Sequence, residues 1–246
     1  MKGRELLKDT IDFHIHPGPD PFPRVADAYE IAWLAQRYGM KALVFKTQHY
    51  MGASTAIMLE RLIPGIRVFG GLCLDNAVGG LNPRAVEVAI ACGAKVIWMP
   101  FLDSSYNDEQ LLNADKLSPY VRHLAESFVN ERSDQRKRLK ISSNGKLFSE
   151  VEEILKMIAK ANIVVCSAHM GQEDRQLFVE GAKKAGVKKI VLTHVNAIWC
   201  KCSLDELEMW RKEGGVTFEL VYNAYAALGE NRNPEELLQI GRASCR

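Results

Sequence analysis

The residues best placed to do chemistry are histidines. His14 and His16 lie in the stretch Asp12-Phe13-His14-Ile15-His16-Pro17-Gly18-Pro19-Asp20. If this stretch ends a β-strand, alternation puts His14 and His16 on one side and Phe13 and Ile15 on the other. Two imidazoles at that spacing can grip one divalent metal ion. Pro17 and Pro19 stop the strand directly afterwards, because proline cannot donate to a sheet ladder. A lone His-x-His is equally an ordinary polar pair near a strand end, so the remaining histidines must decide. Five of the six, His14, His16, His49, His169 and His194, fall at or just past predicted strand ends, and His123 does not.

The elements that must position them alternate. Predicted strands run over 9–16, 42–45, 68–72, 95–98, 163–166, 189–193 and 216–220. Predicted helices run over 25–38, 54–62, 83–92, 151–161, 173–185 and 204–212, with a last one opening at Asn233-Pro234. Local signals bound them: Gly39, Gly93 and Gly186 follow helices, Asn82 caps one with Pro83 in its first turn, and Ser203 caps another. Strands separated by helices at this rhythm form parallel βα units, and their nearly continuous apolar runs fit burial on both faces. Seven such units predict an α/β fold of the TIM-like (β/α) barrel kind. An open doubly wound sheet is the rival, but no Gly-x-Gly-x-x-Gly follows the first strand. In a barrel the carboxyl ends of the strands form the catalytic face, so histidines far apart in sequence converge there.

The alternation breaks after the fourth strand. Residues 101–147 read as an insertion over the strand ends, a loop or lid, with Ser143-Asn144-Gly145-Lys146 as a turn between short extended pieces. The whole of 1–246 is read as a single domain. Its hydrophobic share of 47% and charged share of 25% are those of a globular protein, and a net charge of +2 gives no reason to expect nucleic acid or an anionic membrane. No apolar window long enough to span a bilayer occurs, and the N-terminus does not resemble a signal peptide. A cytoplasmic protein with a small-molecule substrate is expected, and a homo-oligomer stays open. Cys73, Cys92 and Cys166 read as buried small hydrophobes. Cys200 and Cys202 beside His194 lack the usual spacing of a zinc clip.

His-x-His on the first strand, a histidine after the fifth and another after the sixth resemble the metal-dependent hydrolases of the amidohydrolase superfamily. In particular, the chain resembles a subgroup of predicted metal-dependent hydrolases. Its features stand here as Asp12–Asp20, Val44-Phe45-Lys46-Thr47-Gln48-His49, Gly79-Gly80-Leu81-Asn82-Pro83, Val96-Ile97-Trp98-Met99-Pro100 and Ser167-Ala168-His169-Met170, over about Ile11 to Tyr225. The resemblance implies that His14, His16, His169 and His194 hold a divalent metal ion, zinc first, with iron or manganese as alternatives. It also implies hydrolysis of a small amide, lactone or ester by a metal-activated water. Members usually carry an Asp after an eighth strand, whereas this chain reaches Leu237-Leu238-Gln239-Ile240 and a short polar tail. A truncated last unit is the expectation. A seven-stranded barrel, as in polymerase-and-histidinol-phosphatase-like phosphoesterases, is the alternative, and a metal-binding barrel without turnover is a third reading.

Among the carboxylates near the predicted face, Glu219 is the favoured general base, with a rim ion pair to Lys46 or Arg24 as its plainer reading. Asp103 is a second candidate. Lys46 reads either as a cationic catalytic contact or as a lysine snorkelling from the rim. Arg24, His49 and Asn223 are expected to bind substrate. Asp20 reads as a turn residue, Asp12 as structural, and Asn82 is fully explained as a cap.

Overall fold

The computed structural model describes residues 3–107, 138–197, 199, 200, 202–225, 233, 235 and 240. Seven strands form one all-parallel sheet: β1 (Ile11–Ile15), β2 (Ala42–Phe45), β3 (Arg67–Cys73), β4 (Val96–Trp98), β7 (Val164–Cys166), β8 (Ile190–Leu192) and β9 (Val216–Phe218). Their spatial order is their order in the chain. The helices between them are α1 (Ala28–Arg37), α2 (Ala53–Leu62), α3 (Pro83–Ala91), α4 (Ser149–Ala161), α5 (Gln172–Ala185) and α6 (Leu204–Glu213). A separate antiparallel hairpin, β5 (Ser142–Ser143) with β6 (Lys146–Leu147), turns through Asn144 and Gly145, both at positive φ as a two-residue hairpin needs.

The helix ends follow their sequence signals. Asn82 accepts the Arg84 and Ala85 N–H groups with Pro83 opening α3, Ser203 caps α6, and Asp27 and Glu30 close a reciprocal capping box on α1. β2, β4 and β8 are buried along their whole length, as strands covered on both faces must be.

The sheet is curled. In a flat seven-stranded sheet, six strand spacings would hold β1 and β9 about 29 Å apart. Yet His14, on β1, and Glu219, just past β9, stand with side-chain atoms 2.6 Å apart. The carboxyl ends of the first and last strands therefore meet, although no ladder bonds join β1 to β9 among the described residues. Inside the curl lies Trp98, fully buried, its ring 6.4 Å from that of His14. Gly71 makes room for it. A Cβ there would stand 2.8 Å from the Trp98 ring and 1.8 Å from the Val96 carbonyl oxygen.

Of the expected insertion, Phe101–Asn107 and Arg138–Leu147 are described, and Ser104 bridges to Leu139 at its base. Residues 108–137, with His123, lie outside the described residues, as does most of the segment after Tyr225 where a last helix or an eighth unit was to be sought. No helix among the described residues is long and apolar enough to cross a membrane.

Candidate functional site

The curl gathers four histidines at the strands' carboxyl ends. The ring of His14 lies 4.9 Å from that of His16 and 4.6 Å from that of His194, and His194 lies 5.4 Å from His169. Three of the four are oriented by the same device. His14 Nδ1 faces Glu219 Oε1 at 2.6 Å, His16 Nδ1 faces the Lys46 carbonyl at 2.9 Å, and His169 Nδ1 faces Asn107 Oδ1 at 2.7 Å. Each partner is an acceptor, so each Nδ1 carries the proton and each Nε2 presents a lone pair. The Asn107 amide is itself fixed, because its Nδ2 donates to the Leu102 carbonyl at 3.4 Å.

The consequence is electrostatic. With Glu219 ionised, the Nε2 lone pairs of His14 and His16 point at each other across 3.1 Å. Among the described residues, His169 Nε2, both ring nitrogens of His194 and Glu219 Oε2 are buried with no hydrogen-bond partner. Burial holds all four imidazoles well below their ordinary pKa, and the Lys46 charge pushes the same way. A proton is thus a poor occupant for this cluster. A divalent cation is a good one, because neutral imidazoles held through Nδ1 by an acceptor are what such ions bind. His14, His194 and Glu219 alone offer three donor atoms within 4.8 Å of one another. The residues present fit a metal ion.

Backbone strain contributes to this placement. Ala168, just before His169, has φ 51°, and His194 has φ 54°. Non-glycine residues enter this left-handed region at a cost of about 1–2 kcal/mol each. The surrounding bonds hold them there. Ala168 N–H donates to Thr193 Oγ1, the Thr193 N–H to Ser167 Oγ, and the Cys200 thiol to the Thr193 and Ala168 carbonyls. Behind them Arg175, 1% exposed, binds Glu206 through Nε and Nη2 at 2.8 Å each, while its Nη1 donates to the Met170 and Cys200 carbonyls. Cys200 is thus a buried donor between two loops rather than part of a zinc clip with Cys202 and His194.

The histidines open onto a cavity of about 870 Å³, lined also by Asp12, Arg24, Gln48, Phe101, Trp199 and Glu219. Trp199 stacks on His169 with the rings 5.8 Å apart and 7° from parallel. Glu219 meets the cluster, but its partner is His14 rather than Lys46 or Arg24; burial raises its carboxyl above the ordinary range, against the nearby His194 and Lys46. Lys46 does not line the cavity. Its Nζ is buried, without a hydrogen-bond partner among the described residues, 3.4 Å from the centre of the Phe101 ring, so it faces that ring rather than the cavity.

Asp103 is also off the cavity wall. Its Oδ2 accepts the Asn76 N–H at 2.8 Å while Asp75 accepts from Phe101, Leu102 and Asp103, so two loops are tied reciprocally. Arg24 lines the cavity as expected of a substrate contact. His49 does not; its Nδ1 stands 3.4 Å from Asp20, the carboxylate that also meets Arg24. Asp20 is the expected turn residue, accepting the Phe22 N–H at 2.9 Å. Asn223 lies in the short turn Tyr222–Ala224, with its side chain outside the described residues.

Asn107, Trp199, Asp75 and the Arg175–Glu206 pair were not legible as site residues. Asp75 follows β3 by two residues with no histidine pattern to mark it, Arg175 and Glu206 sit on α5 and α6, and the folded loops bring in Asn107 and Trp199.

A family described as a family of unknown function, DUF6282, matches residues 9–219, which run from the lead-in of β1 to the buried glutamate after β9. The chain belongs to the DUF6282 family. All four histidines and Glu219 of this DUF6282 member fall inside the matched span. No curated protein matches the chain in sequence. Among solved structures, a crystal structure of a provisionally assigned deoxyribose-phosphate aldolase from Coccidioides immitis is similar at 10% identity and a TM-score of 0.49, covering 99% of this chain and 81% of that one. A likeness of that order says nothing about the chemistry of the DUF6282 site.

Proposed function

We propose that this protein is a metal-dependent hydrolase of the amidohydrolase kind, acting on a small amide, lactone or ester. The observation that carries the reading is the common orientation of His14, His16 and His169, each with Nδ1 bound to an acceptor and Nε2 left for a ligand. Those three atoms and His194 would hold the ion, and an imidazole-rich donor set favours zinc over magnesium or calcium, with iron and manganese as alternatives. Such an ion supplies a Lewis acid and lowers the pKa of a bound water to about 7.

The chain's own groups do the rest. Burial and the Lys46 charge keep the imidazoles neutral, which is the state that binds a cation. Glu219 Oε2, buried and unpartnered among the described residues, takes the proton of the attacking water and returns it to the leaving group. Its carboxyl, raised by burial, is moved toward the range in which a base works near neutrality. Phe101 and Trp199 cover the histidine rings and limit the access of bulk water. The curled sheet is taken as seven βα units of a TIM-like barrel. The five described cysteines are all free, which suits a reducing, cytoplasmic compartment.

Elemental analysis of protein purified without added metal tests the reading. The expected result is about one zinc, iron or manganese per chain, lost in the His14→Ala/His16→Ala double variant. Absence of bound metal even after reconstitution with each ion would overturn it. Glu219→Gln should keep the metal and lower turnover of amides, lactones or esters by roughly 10²- to 10⁴-fold. Turnover confined to phosphoesters, or metal without turnover, would replace the hydrolase assignment with one of its two alternatives.

A further inference from the structure

Arg24 reaches the cavity from the loop between β1 and α1. That loop is closed at its base, where Gly18 N–H donates to the Ala26 carbonyl and Ala28 N–H to the Gly18 carbonyl. Asp20 folds it further by accepting the Phe22 N–H. The arginine is gripped on one nitrogen only. Nη2 donates to Gln48 Oε1 at 2.7 Å and lies 3.2 Å from Asp20 Oδ2. Nη1 has no acceptor among the described residues, and Nε is buried without one.

A guanidinium has five N–H donors and no acceptor capacity, so at least part of this one is held in place without being satisfied. Its charge bears on His16. It is also the only cationic side chain on the cavity wall among the described residues. The rest of that wall is largely apolar, with Phe22, Leu102, Trp199, Leu220 and Tyr222 among its residues.

We infer that Arg24 anchors a carboxylate of the substrate, which makes the substrate a small organic acid that carries the scissile amide or lactone bond on an apolar body. An N-acyl amino acid has this chemistry. In the metal-free protein a single guanidinium partly neutralised by Asp20, with the Asp12 and Glu219 carboxylates on the same wall, matches a monoanion and is under-charged for a phosphate dianion. Naming the scissile bond rests on the hydrolase reading above, whereas the anchor itself does not.

The test is binding of 3-phenylpropionate, 3-phenylpropanamide and phenyl phosphate to the full chain by calorimetry, before and after treatment with a chelator. The acid is expected to bind roughly ten- to a hundredfold tighter than its uncharged amide, the range of a charge-assisted hydrogen bond, in both preparations. It should also bind tighter than the phosphate once the metal is removed. Arg24→Gln should abolish the preference, and Arg24→Lys should retain part of it, since a point charge replaces the planar fork. Circular dichroism and melting of each variant show that the fold is intact.

An unchanged preference in Arg24→Gln, or none in the natural protein, would overturn the anchor. A preference that disappears on chelation would place the carboxylate on a bound ion, overturning the anchor while favouring the metal. A preference that persists in protein with no affinity for metal would keep the anchor and sink the hydrolase reading instead.

Discussion

Arg175 and Arg24 are both paired with a carboxylate beside the same four histidines, yet they are built differently. Arg175 stands behind the loops that carry His169 and His194, with Nε and both Nη groups engaged by Glu206 and two carbonyls. Arg24 stands on the cavity wall with one nitrogen engaged. A buried cation with every edge matched can only hold structure, because any movement would strand a charge. A cation fixed at one edge and, among the described residues, open at the other is the arrangement that the proposed carboxylate anchor needs. The same contrast separates the ring nitrogens of His14, His16 and His169: each Nδ1 is matched by an acceptor and each Nε2 faces the centre without one, while His194 has neither nitrogen matched among the described residues.

The largest effect expected from breaking this contrast is at Arg175. Arg175→Met leaves Glu206, 3% exposed, as an unpaired buried carboxylate and frees the Met170 and Cys200 carbonyls. Breaking a buried pair from one side costs about 3–5 kcal/mol. For a chain of this size that lowers Tm by roughly 6–20 °C. The double variant Arg175→Met/Glu206→Leu should melt closer to the natural protein than either single variant does, since apolar replacement of both partners removes the stranded charge. Thermal melts of the three variants decide it. A single variant within about 2 °C of the natural protein would mean that Arg175 holds nothing, and the contrast with Arg24 would lose its meaning.

The matched, inward half of the molecule was partly legible in sequence, and the reasons are local. Asn82-Pro83, Ser203, Gly186 and Asn144-Gly145 act within a few residues of themselves, so the helices and the hairpin could be placed to within a few residues. The histidines were legible because strand alternation and strand ends are also local, and the parallel sheet then brings those ends to one face. What could not be read was where long side chains turn. Lys46 directly follows β2, as expected, but folds onto Phe101 instead of entering the cavity. Arg175 sits on a helix where a charge ordinarily reads as solvated, and only the loops after β7 and β8 make it a clamp. Asp103 carries a carboxylate near the right face, yet its role is set by Asn76, 27 residues away in the chain.

A smaller effect is expected from the tie beneath Phe101. Asp75 is buried and accepts N–H groups of Phe101, Leu102 and Asp103. Burial, followed by the charge of Asp103, pushes its carboxyl up to about 6 against those bonds. The unfolded chain releases that proton near pH 3.9, as an ordinary aspartate does at about that value. Between about pH 4 and 6 the native state therefore binds more protons than the unfolded one, and this group's contribution to stability falls as pH rises. The loss amounts to about 3 kcal/mol at most. Urea unfolding of the natural protein and Asp75→Asn across that range isolates it. The natural protein's stability relative to the variant should decline with rising pH, and a constant difference would show that Asp75 does not titrate in this window.

The finest distinction lies between a side chain that holds a loop and one that prepares a ligand, and Asn107 separates the two. Its Oδ1 fixes the proton of His169 on Nδ1, and its Nδ2 meets the Leu102 carbonyl. Asn107→Leu keeps the volume and removes both, so His169 loses the acceptor that turns its Nε2 toward the centre. Loss of such an outer partner typically costs 10- to 100-fold in metal affinity, about 1.4–2.7 kcal/mol. Asn107→Asp keeps an acceptor and should hold the affinity near that of the natural protein. Competition with a chromophoric zinc chelator measures both variants, and melts of the metal-free proteins report the structural share. If Asn107→Leu lowers the melting temperature of metal-free protein and leaves zinc affinity unchanged, Asn107 belongs with Arg175 among the groups that hold loops. The orientation of His169 would then be a by-product of packing. If affinity falls while metal-free stability is kept, the unmatched nitrogens at the centre were set for a ligand.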